Sequence, residues 1–515
     1  DAAGTNSSLN LDGSTGNDTF VANSSNNLLT LTGENQGTLD QVTFSNIENV
    51  SLGGGDDSVV IQAGGKLTGL LDGGGGSNTL TAPDGTPIII GGDGVSVGGT
   101  TFTGFGKVSG GGGGSGGTNN IEANDQANTV NITGAGSGSI DGTSFANIQA
   151  IDLKGGNDTA TIGTAGSLTG VLNGGSGTDI LNANASANSL IINASSAGKV
   201  DGTQISNFEA INTLDGNDSV TVNNSATALA LNAGNGTDSL TSTTTADILN
   251  VSGANAGSLG SIAFSNLENV TLGAGNDTAT IATGASLTAL SGGAGTDTLN
   301  TNGSANTTTI NSSSSGAVDG TAISSFERID LKGGDDNATV DLLNPASTSK
   351  SLLLDGGDGL DDLDIKISEQ DFVKLQNTDA LSKLDSYLTD PNGKSLDIAF
   401  GDFNFSAIGF ETATFNHVIN PPTPKPPAAP TLTTVAASAS DTASASGLEG
   451  LNLDVGGAAN IQAPVSLKST SDASTVEGNV KSDAHATEVL GISTSTLHAA
   501  SDLSVGSVLQ SIVSG

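Results

Sequence analysis

The sequence predicts an all-β chain: a parallel β-helix, or β-solenoid, with coils of about 20 residues, plus a small β-rich C-terminal segment. The first observation behind this is a long internal period. The stretch LKGGNDTATI (153–162) returns as TLDGNDSVTV (213–222), TLGAGNDTATI (271–281) and LKGGDDNATV (331–340). Its marker aspartates, Asp158, Asp218, Asp277 and Asp336, are spaced 60, 59 and 59 residues apart. A period this long means stacked repeats, each burying its apolar face against its neighbours. The second observation is an inner rhythm: about 20 residues after each marker comes a second Gly-rich turn carrying Asp179, Asp238, Asp297 or Asp361. With a third turn near DGTSFANIQAIDL (141–153) and its counterparts, a module reads as three coils of about 20 residues. The third observation is strand chemistry. Short runs such as TATI, SVTV and NSLIIN alternate β-branched or apolar residues with polar ones, between Gly, Asn, Asp and Ser turns.

Taken in order, the chain opens with an incomplete module in which STGNDTFVA (14–22) offers a marker turn at Asp18. A complete module with Asp57 follows. The period then lengthens by about 40 residues through a degraded module at 83–125, which lacks the marker aspartate and includes the flexible run GGGGGSGG (110–117). Three-coil modules continue to the insertion 367–395, whose helix-like spacing and single tyrosine, Tyr387, suit a cap. FNFSAIGFETATFNHV (403–418) closes a rod spanning 1–418. Residues 419–430 form a Pro-rich linker of polyproline II type. Residues 431–515 are a separate assembly segment with strand-like runs such as LNLDV and NIQAPVSLKS, but with no aromatic residue and little material for a core of its own.

Composition narrows the function classes. There are 53 acidic residues against 14 basic ones, a formal charge of −39, and a single arginine, Arg328, which reads as a surface substitution. Such a surface offers no basic patch to nucleic acid or to an anionic membrane and attracts cations instead. No run approaches the 18 apolar residues of a membrane span. The absence of Cys excludes disulfides. The absence of Met reads as a processed, exported chain, extracellular or at the cell surface. His417, His485 and His498 all lie at or beyond the end of the rod, and the acids recur by module, whereas a catalytic site should break the repeat. The expectation is a protein that is not an enzyme. The Thr rows, for example Thr159 and Thr161 with Thr278 and Thr280, read as β-propensity and cross-coil hydrogen bonding, with ice or sugar binding as the alternative.

The turns GGSGTDILN (174–182) and GAGTDTLN (293–300) follow the pattern GGxGxDxUx almost fully and resemble the calcium-binding repeats of repeats-in-toxin (RTX) proteins. The longer pattern NTVNITGAGSGSIDGTSFANIQAIDLKGGNDT resembles the repeats of large bacterial surface proteins and adhesins with β-solenoid domains, over roughly residues 10–365. The first resemblance implies Ca²⁺ at the Gly-Asp corners, carried by Asp158 with Asp179, Asp218 with Asp238, Asp277 with Asp297, and Asp336 with Asp361. The chain departs from the RTX pattern in having one such turn per roughly 20 residues rather than direct nine-residue tandems. The other reading of these residues is turn chemistry, in which Asp and Asn bond corner amides. The functional expectation is an extracellular structural subunit that self-assembles with copies of itself into a surface filament or matrix fibre through residues 431–515. The alternative is a surface-layer protein or adhesin stalk with calcium-stabilised repeats and a cell-surface glycan as partner.

Overall fold

The computed structural model describes residues 9–418, except 93, 112–117, 194–196, 227, 245, 313–314, 343–350, 377 and 401–402, together with 453–454 and 480–481. The linker 419–430, nearly all of the segment 431–515 and most of the polyglycine run lie outside the described residues. The chain divides into two compact units, 1–420 and 421–515. In the second, Leu453–Asp454 pairs in parallel with Val480–Lys481.

The first unit is a β-solenoid of two facing sheets, one of 23 strands (sheet 1) and one of 22 (sheet 2). The chain shuttles between them. Thr159–Ile162 lies in sheet 1, Val171–Asn173 in sheet 2, and Ile180–Asn182 back in sheet 1, where Thr159 pairs with Ile180 in parallel register. One plain coil is therefore 21 residues here, and 20 from Ala210 to its partner Ala230. Alternation decides the rest. Ala160, Ile162, Leu172 and Leu181 point inward and are buried, while Thr159, Thr161 and Asn182 face outward. Each inward Leu or Ile contributes roughly 1.5–3 kcal/mol of burial to one continuous core between the sheets.

The third turn of each module is not a coil corner. After Ile180–Asn182 the chain enters sheet 2 at Ser189–Ile192 and reverses within the plane of the sheet to Gly198–Val200. It then reverses again to Thr203–Ser206, forming two antiparallel pairings. The second reversal is the two-residue turn Asp201–Gly202, with φ of +48° and +87°. Positive φ at both positions is the type I′ geometry that matches strand twist, and Asp-Gly is its preferred sequence. Asp141–Gly142 and Asp319–Gly320 repeat it. In each turn the aspartate also accepts the amide that begins the zigzag: Ser189 to Asp201, Thr129 to Asp141 and Thr307 to Asp319, at 2.8–2.9 Å.

This zigzag corrects the three-coil reading of the module. From Thr159 to the equivalent Ser219 the chain makes five passes between the sheets, one of them the three-stranded zigzag. Five is odd, so each module begins on the opposite sheet from the last. Ser219–Val222 lies in sheet 2, while Thr278–Ile281 lies in sheet 1. Asp218 and Asp277 thus stand on opposite edges of the flattened solenoid, not three coils apart on one corner. The Thr rows change accordingly: Thr159 pairs with Thr129 and Ile180, and Thr278 with Ile248 and Thr298. The degraded module is a full structural member, with the antiparallel zigzag Ile88–Gly91, Gly94–Val97 and Thr100–Thr103 in sheet 2.

At the C-terminal end the insertion forms α1 (Glu369–Leu375) and α2 (Ala380–Thr389), and α2 lies against the last strands, Leu396–Phe400 and Thr412–Val418. Ala380, Leu384 and Tyr387 are buried there. Among the described residues the first strand, Leu9–Asp12, is exposed along its length and pairs with Val42–Ser45.

Candidate functional site

The marked aspartates build buried ladders along the two edges of the solenoid. Each ladder has four rungs on successive coils, and each rung donates its backbone amide to the side chain of the next. Asn128 N–H donates to Asp158 Oδ1 (2.7 Å), Asp158 N–H to Asp179 Oδ1 (2.8 Å), and Asp179 N–H to Glu209 Oε2 (2.8 Å). The next module repeats this on the other edge as Asn188, Asp218, Asp238 and Glu268. It returns as Asp247, Asp277, Asp297 and Glu327, and then as Asn306, Asp336, Asp361 and Glu411. The structure therefore brings each expected aspartate pair together on adjacent coils. What joins the pair is an amide-to-carboxylate hydrogen bond, the Asx-type turn chemistry that a corner needs once its amides leave the ladder of the sheet.

The turn glycines follow from the same stacking. A Cβ on Gly177 would fall 1.6 Å from the Gly156 carbonyl oxygen of the coil before it; on Gly236 it would fall 1.6 Å from that of Gly216, and on Gly295 1.5 Å from that of Gly275. All three have φ near +150°. The GxGxD spacing is thus met by steric stacking and amide capping: glycines where turns touch, and an aspartate where an amide needs an acceptor.

Every aspartate of these four ladders is at most 2 % exposed. Burial pushes the carboxyls of Asp57, Asp179, Asp238, Asp277 and Asp361 above the usual range, against the pull of the amide each accepts. Asp158 is raised to about 6 and Asp336 to about 7, again chiefly by desolvation, with the neighbouring carboxylate of the ladder adding to it. The outer oxygens, Oδ2, of Asp158, Asp179, Asp218, Asp238, Asp336 and Asp361 have no hydrogen-bond partner. Among the described residues no group of three or more His, Cys, Asp or Glu stands where it could hold a metal ion.

The two ends of each ladder escape a search for Gly-Asp turns. The first rung is Asn27, Asn128, Asn188, Asp247 or Asn306, and the last is Glu48, Glu209, Glu268, Glu327 or Glu411. Their signal was a glutamate recurring in SNIENV, SNFEAIN, SNLENV and SSFERID, 30 residues after the second-turn aspartate. Asp18 also changes role: its amide donates to Glu48 Oε2, as Asp179 does to Glu209, so it is a second-turn residue and not a marker. Arg328 is no free surface charge; it pairs with Asp355 at 2.7 Å and Asp330 at 3.3 Å.

No protein-family model matches the chain, and no curated protein shows significant similarity to it. No helix among the described residues is long and apolar enough to cross a membrane.

Proposed function

We propose that this chain is an extracellular structural subunit that joins copies of itself into a surface filament or matrix fibre, with residues 431–515 making the joint. The observation that carries this reading is the second compact unit, residues 421–515, whose alternating runs such as Leu451, Leu453 and Val455 come with no aromatic residue to build a core. α2 covers the last strands of the rod, which keeps that end from simply stacking on another rod. A joint then calls for a separate element, and the segment beyond residue 420 is the one we assign to it. The test is electron microscopy of the full chain and of a chain ending at residue 419. The full chain should form filaments and the shortened one should remain a folded, dispersed rod. Filaments from the shortened chain, or a full chain that stays monomeric at high concentration, would overturn the proposal.

A second reading keeps the rod as a calcium-stabilised surface-layer element or adhesin stalk, with a cell-surface glycan as its partner. The buried Oδ2 atoms without partners favour it, since a proton or a cation must offset that charge. Elemental analysis and melting with and without chelator decide between the two. Bound Ca²⁺ at a thousandfold its dissociation constant would add ~4 kcal/mol, lost on chelation.

A further inference from the structure

Sheet 1 carries a long outer face without charge. Twelve strands in unbroken succession, from Thr143–Ala146 to Thr298–Asn300, make it up. Alternation points every second residue of each strand outward, and those residues are Asn, Ser, Thr, Ala and Ile only. The acids between residues 129 and 300 stand in turns, except Asp152, which lies on sheet 2. Of the two lysines in that stretch, Lys154 stands in a turn and Lys199 lies on sheet 2. Charge returns to the outer face of sheet 1 just beyond the twelve strands, at Lys107 beside Ser144 and at Arg328 and Asp330 beside Thr298 and Asn300.

The middle of this face is apolar. Ile180, Ala210, Ala230 and Ala263 stand in one cross-strand row on the fifth to eighth of the twelve strands. Ile180 is 36 % exposed, and Ala230 and Ala263 are exposed as well. Beside them runs the row Asn182, Asn212 and Asn232, whose amides are already engaged. Asn212 Nδ2 donates to Asn182 Oδ1 at 2.8 Å, and Asn232 Oδ1 accepts from Asn266 Nδ2 at 2.8 Å. Polar groups bonded within their own sheet lose less when water is removed from them. Toward both ends of the twelve strands the outward residues turn to Thr, Ser and Asn. An apolar centre inside a neutral polar rim is the anatomy of a protein–protein interface.

We propose that two copies of this chain pack side by side, sheet 1 against sheet 1, centred on Ile180, Ala210, Ala230 and Ala263. A second copy is the occupant for reasons of charge, symmetry and area. Two bodies of charge −39 repel wherever their acidic turns meet, and this face lets them touch without opposing carboxylates. A patch whose apolar row lies at its own middle is self-complementary under a two-fold axis, as a pair of identical faces requires. Eleven strand spacings of about 4.8 Å make the face about 53 Å long, and strands of three to four residues make it about 12 Å wide. The pair then buries about 650 Å² on each copy and about 1,300 Å² in all, within the range of a stable interface. The face carries no aromatic ring on which a sugar could stack. Side-by-side pairing adds to the end-to-end joint proposed above and does not require it.

The test is charge placed on the face of the full chain, read by sedimentation and by electron-microscopic mass per length. Ala230→Glu sets two carboxylates close together at the centre of the pair and should release single rods, with half the parent's mass per length. Thr221→Glu puts the same charge on the outer face of sheet 2 and should leave the pair intact. Ala230→Lys alone should also give single rods, whereas an equal mixture of Ala230→Lys and Ala230→Glu should pair again, a rescue that a folding defect could not show. Pairing of the parent should tighten as NaCl rises from about 0.05 to about 0.5 M, because the contact is neutral and the bodies repel. Single rods from the unsubstituted chain, pairing that survives Ala230→Glu, or pairing lost equally in Thr221→Glu would each overturn the proposal. Filaments one rod wide would overturn it while leaving the tail joint standing. Paired rods that do not join end to end would support it while overturning the tail joint.

Discussion

Asn78 sits where other modules place Asp179, Asp238, Asp297 and Asp361, and its bonding shows what that position requires. Its Oδ1 accepts the Asp57 amide at 2.9 Å, as Asp179 accepts that of Asp158. Its Nδ2 donates to the carbonyls of Gly73 and Gly104 at 3.0 and 2.9 Å. The equivalent of Gly73 in the module of Asp179 is Gly174, where an added Cβ would meet both Asp179 Oδ2 and the Asn207 carbonyl. A neutral aspartic acid with its proton on Oδ2 can donate to those carbonyls as the Asn78 amide does; an ionised one faces them with a bare charge. Asp179→Asn should therefore match or exceed the parent in stability at pH 8, measured by urea unfolding. Asp179→Ala, which strands the Asp158 amide, should cost about 1–3 kcal/mol. Equal losses for both variants would show that the carboxylate charge itself is needed, as a cation site would demand.

Between the residue and the rod stands the turn, and two glycines of similar appearance should respond differently. Gly142, in a type I′ turn, has φ of +84° and open space around its Cβ position. Gly142→Ala should cost only the left-handed backbone term, about 1–2 kcal/mol. Gly177→Ala adds a collision with the Gly156 backbone and should cost at least about 3 kcal/mol or prevent folding. Comparable losses in thermal unfolding would mean that the turns can slide apart. The same pair of glycines explains how far the architecture was legible. The 59–60-residue period and the alternating runs are sequence-local, so the parallel solenoid and its plain coil of 20–21 residues follow from them. The in-plane reversal at Asp201–Gly202 was masked because a hairpin and a coil corner are both punctuated by Gly and Asp. Only strand pairing separates them, and with it the odd count of passes that swaps edges. The ladder aspartates stood out by their glycines, whereas Asn128 and Glu209 sit in turns with no glycine beside them and are joined only through the third dimension.

For the whole molecule, burial of the ladders reverses the usual acid lability of a protein with 53 acidic residues. Asp158 and Asp336 have carboxyls raised from 3.8 to about 6 and about 7 in the folded state. Between the unfolded and folded values the native state holds more protons than the unfolded one, so unfolding releases them. The stability this contributes is complete below about pH 4 and is lost as pH rises through 6 to 7. The net charge of −39 pushes in the same direction, because acid also relieves surface repulsion. Salt separates the two causes: at 1 M the screening length is about 3 Å, which removes most surface repulsion but leaves buried groups nearly untouched. In 1 M NaCl the melting temperature should therefore still be higher at pH 4.5 than at pH 8, with the fall spread from about pH 4 and complete once pH has passed the folded values of about 6 and about 7. Elimination of the difference by salt would assign it to the surface alone. A melting temperature that instead rises with pH, and whose rise is abolished by chelator, would place a cation on the Oδ2 atoms and move the balance to the calcium-stabilised reading.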